Sequence, residues 1–251
     1  MSTEVFANAR FVGEDFDGTI VDTFTRPKDG YSVESAYHIA VGTVFGPPDL
    51  EKYKREGGLG NRAPLEIVRQ LAPDADAGET DKLHQQLVAT KLEVLESQIS
   101  ATWPEPTKGF IEFTAKLRRT QAEQPIDDVI ISSGHESFIR KTFEKTLGIT
   151  PPKIILAQEA IQRMAANHDE SMPTKPSPKL MVYAYDQWQQ SYGQNEQKVI
   201  GKHDCERMCY VGDDDEKDGG MARATGVAFY HLVPENAEVV WQKLADDLAL
   251  E

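Results

Sequence analysis

Two aspartates, Asp15 and Asp17, lie two residues apart in the segment FVGEDFDGTIVDTF, which covers residues 11–24. A short apolar run precedes them, and Gly18 follows before a second apolar pair, so the pattern predicts a strand that ends in a tight loop. Two carboxylates held this close in a partly dry site repel each other strongly enough to require a cation. The alternative interpretation is an ordinary Asx turn at the protein surface.

The length and charge of the chain exclude one class of partner. Its 251 residues, of which 39% are hydrophobic, suffice for one domain with a second inserted in it, or for two small domains. The formal net charge of -14 leaves no excess of lysine and arginine to neutralise phosphates. A nucleic-acid partner is therefore not expected.

The cysteines and the first residues bear on the cellular compartment. Cys205, Cys209 and the nearby His203 offer three candidate zinc ligands, whereas a structural zinc site usually needs four. We therefore expect two free thiols in a reducing compartment. The start of the chain, MSTEVFANAR, lacks a basic segment followed by a long apolar run, and no uncharged apolar stretch approaches the length of a membrane span. We therefore expect a soluble cytoplasmic protein with no membrane partner.

The spacing of apolar residues divides the chain into two parts. Between residues 32 and 101 it predicts helices only, with Asp49 and Thr80 as the caps of two of them. Beyond Pro106, helices alternate with apolar strands, a pattern typical of a parallel sheet that is covered on both faces.

These patterns together predict an α/β protein whose Rossmann-like, three-layer core contains a parallel sheet. The core is assigned to residues 1–24 and 104–251, and an all-helical domain to the inserted residues 25–103. In such sheets the ligand lies beyond the carboxyl ends of the strands.

Chemically active residues follow several of the predicted strands. In chain order they are Asp15 and Asp17, then Ser133 and Gly134 after the strand at Ile131, then Lys175 in TKPSPK, then Asp213, Asp214 and Asp215 after the strand at Val211. Each has an ordinary alternative, since Ser133 suits a helix cap, Lys175 a solvated side chain and the acidic run a surface turn.

The order of these residues resembles that of the four motifs of the haloacid dehalogenase-like phosphohydrolase superfamily. The matching segments are Asp15-Phe16-Asp17-Gly18-Thr19, Ser133, Lys175-Pro176-Ser177-Pro178, and Gly212-Asp213 with Asp218. The resemblance extends over about residues 11–231. It includes the helical insertion, which matches the cap domain that members such as phosphoglycolate phosphatase and beta-phosphoglucomutase carry after the first motif.

The resemblance implies a role for each acidic residue. Asp15 would be the nucleophile that becomes an aspartyl-phosphate, and Asp17 the general acid that protonates the leaving oxygen and then activates water. Mg²⁺ would be held by Asp15, the backbone carbonyl of Asp17, and Asp213. Asp218 would act from the outer shell or through water, with Asp214 as the competitor for either role.

The resemblance also implies a set of groups that bind the phosphate ester. Ser133 and the N–H of Gly134 would donate hydrogen bonds to the phosphoryl group, Lys175 would cancel its charge, and Thr19 would contact the substrate from the first motif. Arg62, in the cap turn GGLGNR, resembles an arginine that contacts the substrate in beta-phosphoglucomutase, and it would suit a second anionic group. The alternative for Arg62 is a solvated position on the cap surface.

The sequence departs from the family pattern in several places. Glu14 stands where the family has an apolar residue before the nucleophile, and Gly13 weakens that strand further. The segments 158–174 and 190–206 are predicted as loops longer than is usual in the family. None of these departures removes a catalytic group.

The expected function is the hydrolysis of a small phosphorylated metabolite by a Mg²⁺-dependent phosphatase that is a monomer or a homodimer. A phosphomutase of the same superfamily is the nearest alternative, because such mutases share all four motifs. Phosphonate hydrolysis would need a Schiff-base lysine in the cap, and no cap lysine has a local signature for one. A non-catalytic binding or regulatory protein with the same fold is the remaining alternative.

Overall fold

The computed structural model describes residues 9–24, 33–55, 64–167, 172–193 and 200–251. Contacts divide the chain into two compact units, one formed by Met1–Asp22 with Glu105–Glu251 and the other by Thr23–Pro104. The first contains the central sheet, and the regular elements described in the second are helices.

The described elements follow one another in a simple order. They are β1 (Arg10–Glu14), β2 (Val21–Asp22), α1 (Val33–Val44), α2 (Pro47–Arg55), α3 (Pro64–Leu71), α4 (Ala77–Gln98), β3 (Glu105–Pro106), α5 (Phe110–Gln121), β4 (Ile126–Ile131), α6 (Glu136–Thr142), β5 (Ile154–Leu156), α7 (Gln158–Asn167), α8 (Lys179–Ser191), α9 (Lys202–Cys205), β6 (Met208–Gly212), α10 (Gly220–Thr225), β7 (Ala228–His231) and α11 (Ala237–Asp247). A π-helical turn, Phe143–Leu147, continues α6, and a second, Asp215–Gly219, leads into α10. Within the described ranges, no helix is both long and apolar enough to cross a membrane.

The central sheet has five parallel strands in the order β5, β4, β1, β6, β7. β1 lies in the middle, paired with β4 on one side and β6 on the other. The carboxyl ends of these three strands therefore meet at one edge of the sheet. The prediction of an α/β fold with a Rossmann-like parallel sheet is confirmed.

Two groups of aromatic side chains contribute to the packing of the α/β unit, one between the sheet and a helix and one among helices. Phe11 of β1 contacts Trp188 of α8 edge-on, with 5.4 Å between the ring centroids, in a core to which α7, α8 and α10 contribute. In the other group, Phe110 of α5 lies between Phe143, at 6.5 Å, and Trp241 of α11, at 5.3 Å. These contacts bury large rings, which dominate the energetics of a core.

A short antiparallel ribbon forms where the chain leaves the α/β unit and returns to it. β2 pairs there with β3. Next to β3, the hydroxyl of Thr107 donates to the carbonyl of Thr19 at 2.6 Å and accepts the indole N–H of Trp241 at 3.1 Å. The ribbon is thus tied to the loop that follows β1.

The helical unit packs its longest helix, α4, against α1. Its core includes Tyr37 and Val41 of α1, Ile67 of α3 and Leu87 of α4. Lys91 interrupts the apolar stripe of α4, and its buried Nζ lies 3.3 Å from the hydroxyl of Tyr37 and 4.4 Å from the centroid of that ring. A hydrogen bond and a cation–π contact therefore accompany the burial of this lysine.

Two predicted helix caps are wrong. α4 begins three residues before Thr80, and Asp76 caps it, because the Asp76 carboxylate accepts the N–H of Glu79 at 2.9 Å. α2 begins at Pro47, so Asp49 lies in its first turn and not before it. A proline suits the start of a helix, where its missing N–H has no intrahelical partner to lose.

Two segments predicted as long loops contain helices. α7 fills the first part of 158–174, and α9 lies within 190–206. The prediction of long irregular connections there is wrong for these residues. α7 places Ala160 and Ile161 in the core of the α/β unit.

Asp76→Ala removes the side chain that satisfies an N–H at the start of α4, and the loss of such a cap costs about 1 kcal/mol. We expect a lower urea midpoint for the transition that reports loss of helix by circular dichroism. Asp74→Ala removes another exposed carboxylate close by and serves as the control. A wild-type midpoint in Asp76→Ala would contradict the cap.

Candidate active site

Asp15 lies directly past the end of the central strand β1. Its N–H donates to the carbonyl of Val211 at 2.9 Å, so the pairing with β6 continues through this residue. The carbonyl of Phe16 then accepts the N–H of Ile20 at 3.0 Å, and Gly18 turns the chain with a φ of 82°, which a glycine adopts without strain. The carboxylate of Asp15 is therefore held, buried, at the carboxyl edge of the sheet.

Lys175 pairs with two buried carboxylates at this edge. Its Nζ lies 2.5 Å from Oδ1 of Asp15 and 2.7 Å from Oδ1 of Asp218. Burial lowers the pKa of Lys175, but the charges of these two aspartates outweigh burial and raise the pKa above its ordinary value, so the lysine is cationic. A turn closed by a 2.8 Å bond from the Ser177 N–H to the Thr174 carbonyl carries the lysine.

Three carboxylates meet where β1 and β6 end. Asp15, Asp213 and Asp218 each place one oxygen atom within 4.8 Å of the others. Gly212 makes room for this arrangement, since a Cβ atom at position 212 would lie 2.5 Å from the side chain of Asp218. Any larger residue at position 212 would displace the Asp218 carboxylate.

Burial and the charges of neighbouring carboxylates raise the pKa of Asp15 and of Asp213. Burial raises the pKa of Asp15, and Lys175 offsets that rise in part, whereas Asp218 and Asp213 add to it. Burial and then the charge of Asp218 also raise the pKa of Asp213. Three carboxylates carry more negative charge than the ammonium of Lys175 can offset, so the group favours a further positive charge.

The donor atoms fit the predicted magnesium ion. The three converging ligand atoms of Asp15, Asp213 and Asp218 are oxygens, which are the donors that Mg²⁺ prefers. A divalent cation there would also relieve the repulsion that raises the pKa of Asp15 and Asp213.

The other aspartates of the acidic run bind groups outside this cluster. Asp214 caps the π-helical turn, since its Oδ1 accepts the N–H of Lys217 at 2.9 Å. Asp215 is paired with Arg223 at 2.8 Å. The geometry thus favours Asp213 as a ligand, and it gives no support to Asp214 as the competitor.

The structure separates the two serines that follow β4. Ser132 is 1% exposed, and its Oγ accepts the N–H of Gly134 at 2.9 Å. A Cβ atom at position 134 would lie 3.2 Å from Oγ of Ser132 and 3.3 Å from Oδ2 of Asp17, so both groups border the same glycine. Ser133, the residue predicted from the sequence, is exposed. The N–H of Gly134, which was predicted to bind the phosphoryl group, donates to Oγ of Ser132 in this structure.

The remaining predicted substrate contacts are Thr19 and Arg62. Thr19 is fully buried, so its side chain is out of reach of a substrate in this structure. Its Oγ1 has no hydrogen-bond partner among the residues that the structure describes. Arg62 lies outside the described residues, and its role stays a prediction.

A buried histidine that the sequence pattern did not single out ties the serine loop to α7. Nδ1 of His135 lies 2.9 Å from Oε1 of Glu159, whose Oε2 accepts the N–H of Glu136 at 3.1 Å. The N–H of Gln158 donates to the carbonyl of Gly134 at 3.0 Å. The one signal in the sequence is the position of His135 directly before a predicted helix.

Glu14, the acidic residue that precedes Asp15, is buried beside a second ion pair. Asp128 accepts two hydrogen bonds from the guanidinium of Arg118, at 2.6 and 2.7 Å. Burial and then the charge of Asp128 raise the pKa of Glu14 well above its usual value, although Arg118 lowers it in part. The raised pKa favours the neutral form of Glu14, which costs less to bury than a carboxylate.

Comparisons with known proteins identify the fold. No family model matches the chain, and no curated protein matches it. Among solved structures, a Bacteroides fragilis protein assigned as a haloacid dehalogenase-like hydrolase has a TM-score of 0.55 and 17% identity, with 90% of this chain and 88% of the other covered. A predicted phosphoglycolate phosphatase from Haemophilus somnus 129Pt has a TM-score of 0.53 and 14% identity, with 89% and 84% covered. A Thermotoga maritima protein assigned as a beta-phosphoglucomutase has a TM-score of 0.52 and 13% identity, with 94% and 99% covered.

At these identities the likeness establishes the fold and nothing finer. The chain has the haloacid dehalogenase-like fold. The expectation drawn from the four sequence motifs is confirmed at this level.

The contacts of Glu159 predict a pH-dependent contribution to stability. Burial raises the pKa of Glu159, but the hydrogen bonds from His135 and from the N–H of Glu136 outweigh burial and lower it from 4.5 to about 2. A carboxyl with a lowered pKa stabilises the fold above its unfolded pKa, and that stabilisation is lost as the pH falls toward 2. We expect Glu159→Gln to lower the urea midpoint at pH 6.

The difference in urea midpoint between Glu159→Gln and the wild type should shrink as the pH falls from about 4.5 toward 3. Over that range the wild-type glutamate is progressively protonated in the unfolded state. Glu144→Gln, at an exposed residue, is the control and should show no comparable deficit at pH 6. A deficit that is the same at pH 6 and pH 3 would contradict the assigned pKa.

Proposed function

We propose that this protein is a Mg²⁺-dependent phosphatase of the haloacid dehalogenase-like superfamily, which hydrolyses a small phosphate monoester through an aspartyl-phosphate. The observation that carries the proposal is the pairing of Lys175 with the buried Asp15 and Asp218. Asp213 completes the group of carboxylates at the same edge of the sheet. The four sequence motifs contain these residues, and the fold agrees with them.

Asp15 is the nucleophile in this proposal. Its carboxylate attacks phosphorus, which forms a bond between the aspartate oxygen and phosphorus and breaks the bond from phosphorus to the ester oxygen. An anion attacks an anionic ester slowly unless positive charge lies close to both. Lys175 provides that charge, because its Nζ contacts Oδ1 of Asp15 and stays protonated.

The magnesium ion would be held by carboxylates of the cluster. Asp15 and Asp213 are proposed as direct ligands together with the backbone carbonyl of Asp17, and Asp218 acts beside them. When bound, the ion supplies positive charge to the phosphoryl oxygens. Lys175 keeps Asp218 turned toward the cluster by its 2.7 Å contact.

Asp17 and a serine complete the proposed reaction. Asp17 donates a proton to the leaving oxygen and then accepts one from the water that hydrolyses the aspartyl-phosphate. Ser132 is preferred to Ser133 as the hydroxyl beside the phosphoryl group, because Ser132 and Asp17 border the same glycine, Gly134. Ser133 is the alternative, and it is the serine that the sequence motif suggested.

A phosphomutase is the nearest alternative function, because one similar structure is assigned as a beta-phosphoglucomutase. A panel of small phosphate esters separates the two activities by product. A phosphatase releases inorganic phosphate, a mutase returns a phosphorylated isomer, and a non-catalytic protein produces neither. The substrate, the cytoplasmic location and the oligomeric state stay predictions from the sequence.

Asp15→Asn removes the nucleophile and should lower kcat for the preferred ester by at least about a thousandfold. Asp17→Asn removes the acid and base but keeps the nucleophile, so a phosphorylated protein should accumulate and decay slowly. Asp215→Asn, whose carboxylate is paired with Arg223, is the matched control and should keep wild-type turnover. Wild-type activity in Asp15→Asn would refute the proposed mechanism.

Chelation tests the metal requirement. Excess EDTA should abolish turnover, and added Mg²⁺ should restore it, because the carboxylates of Asp15, Asp213 and Asp218 leave too much negative charge to accept a phosphate ester unaided. The measurement is phosphate release before and after chelation and after Mg²⁺ is returned. Full activity in excess chelator would exclude the magnesium assignment.

A further inference from the structure

Tyr210 lies beneath the carboxylate cluster, in the middle of β6. Its buried ring crosses over Gly13, the residue paired with it on β1. A Cβ atom at position 13 would lie 2.6 Å from Cδ2 of Tyr210 and 2.9 Å from Cε1 of Phe11. The absence of a side chain at position 13 is therefore what gives the tyrosine ring its space.

The hydroxyl of Tyr210 reaches two elements that border the site. It lies 3.1 Å from the carbonyl of Ile131, the last residue of β4, and 3.2 Å from Oδ1 of Asp218. The phenol has one O–H donor, and both the carbonyl and the carboxylate lie within its hydrogen-bonding distance.

The same oxygen of Asp218 is shared by two partners. Oδ1 contacts Nζ of Lys175 at 2.7 Å as well as the Tyr210 hydroxyl, while Oδ2 accepts the N–H of Asp214 at 3.2 Å. The ammonium of Lys175 also lies 5.6 Å from the centroid of the Tyr210 ring. Tyr210 thus contacts, directly or through one residue, the end of β4, the loop after β6 and the lysine that pairs with Asp15.

We infer that Tyr210 is a positioning residue of this site, which holds the Asp218 carboxylate and the end of β4 at a fixed distance from each other. The inference rests on the proposed function. Because Ile131 directly precedes Ser132, the hydroxyl links the serine loop to the acidic cluster. Gly13, which departs from the apolar pattern of the family strand, is the complement of the tyrosine ring in this structure.

Tyr210→Phe tests this role, because it removes the hydroxyl and keeps the ring over Gly13. Partners that orient the ligands of a metal typically matter by about 10- to 100-fold in metal affinity or activity. We expect the dissociation constant for Mg²⁺, measured by calorimetry without substrate, to rise by about tenfold or more. We also expect kcat to fall by a similar factor at saturating Mg²⁺, while KM changes by less than about threefold.

Tyr192→Phe is the matched control. Tyr192 is also buried and also donates to a carboxylate, that of Asp127, at 2.5 Å, and Asp127 is not one of the three carboxylates of the cluster. It should keep the wild-type Mg²⁺ affinity and kcat even if its thermal stability falls. Gly13→Ala, which displaces the ring, should weaken Mg²⁺ binding at least as much as Tyr210→Phe, provided that circular dichroism shows the wild-type fold.

The outcomes separate this inference from the proposed function. Wild-type Mg²⁺ affinity and kcat in Tyr210→Phe, with or without a lower melting temperature, would overturn the positioning role and leave the phosphatase proposal intact. A wild-type protein that binds Mg²⁺ and hydrolyses no ester would refute the phosphatase. In that case weaker Mg²⁺ binding by Tyr210→Phe than by Tyr192→Phe would still support the role of Tyr210.

Discussion

The ammonium of Lys175 lies between two carboxylates that would otherwise repel each other in a buried position. Asp15 and Asp218 contact it at 2.5 and 2.7 Å. Removing one partner from such a group leaves an uncompensated buried charge, which typically costs about 3 to 5 kcal/mol. The arrangement of the site therefore depends on this lysine.

The parallel sheet explains how residues so distant in sequence meet at one edge. Asp15 follows β1, Ser132 follows β4 and Asp213 follows β6, and these strands are neighbours whose carboxyl ends share one edge. Two glycines allow the close approach of neighbouring side chains. Gly212 leaves space for the Asp218 side chain, and Gly13 leaves space for the ring below it. The sheet thus brings the carboxylates of Asp15 and Asp213 to the same edge.

Much of this could be predicted from the sequence, because strand ends and motif order are local signals. The order of the motifs grouped Asp15, Lys175 and Asp213, and the structure brings Asp15 together with each of the other two. Adjacent candidate site residues were harder to distinguish, because neighbouring side chains at a strand end point in different directions. The sequence pattern does not indicate which of them turns inward. Ser132 and Ser133 differ in that way. The helix cap at Asp76 was missed because Thr80 is also a capping residue by type and lies closer to Leu83, where the apolar stripe begins.

The central claim is that Asp15 carries the phosphoryl group. The most direct test is a rapid acid quench of the wild-type protein during turnover, followed by borohydride reduction and mass spectrometry of the peptide that contains Asp15. Borohydride converts an acyl phosphate of aspartate to homoserine, so the account predicts homoserine at position 15 in a fraction of the molecules that depends on substrate and Mg²⁺. Turnover with unmodified Asp15, or with the modification at another residue, would contradict the account.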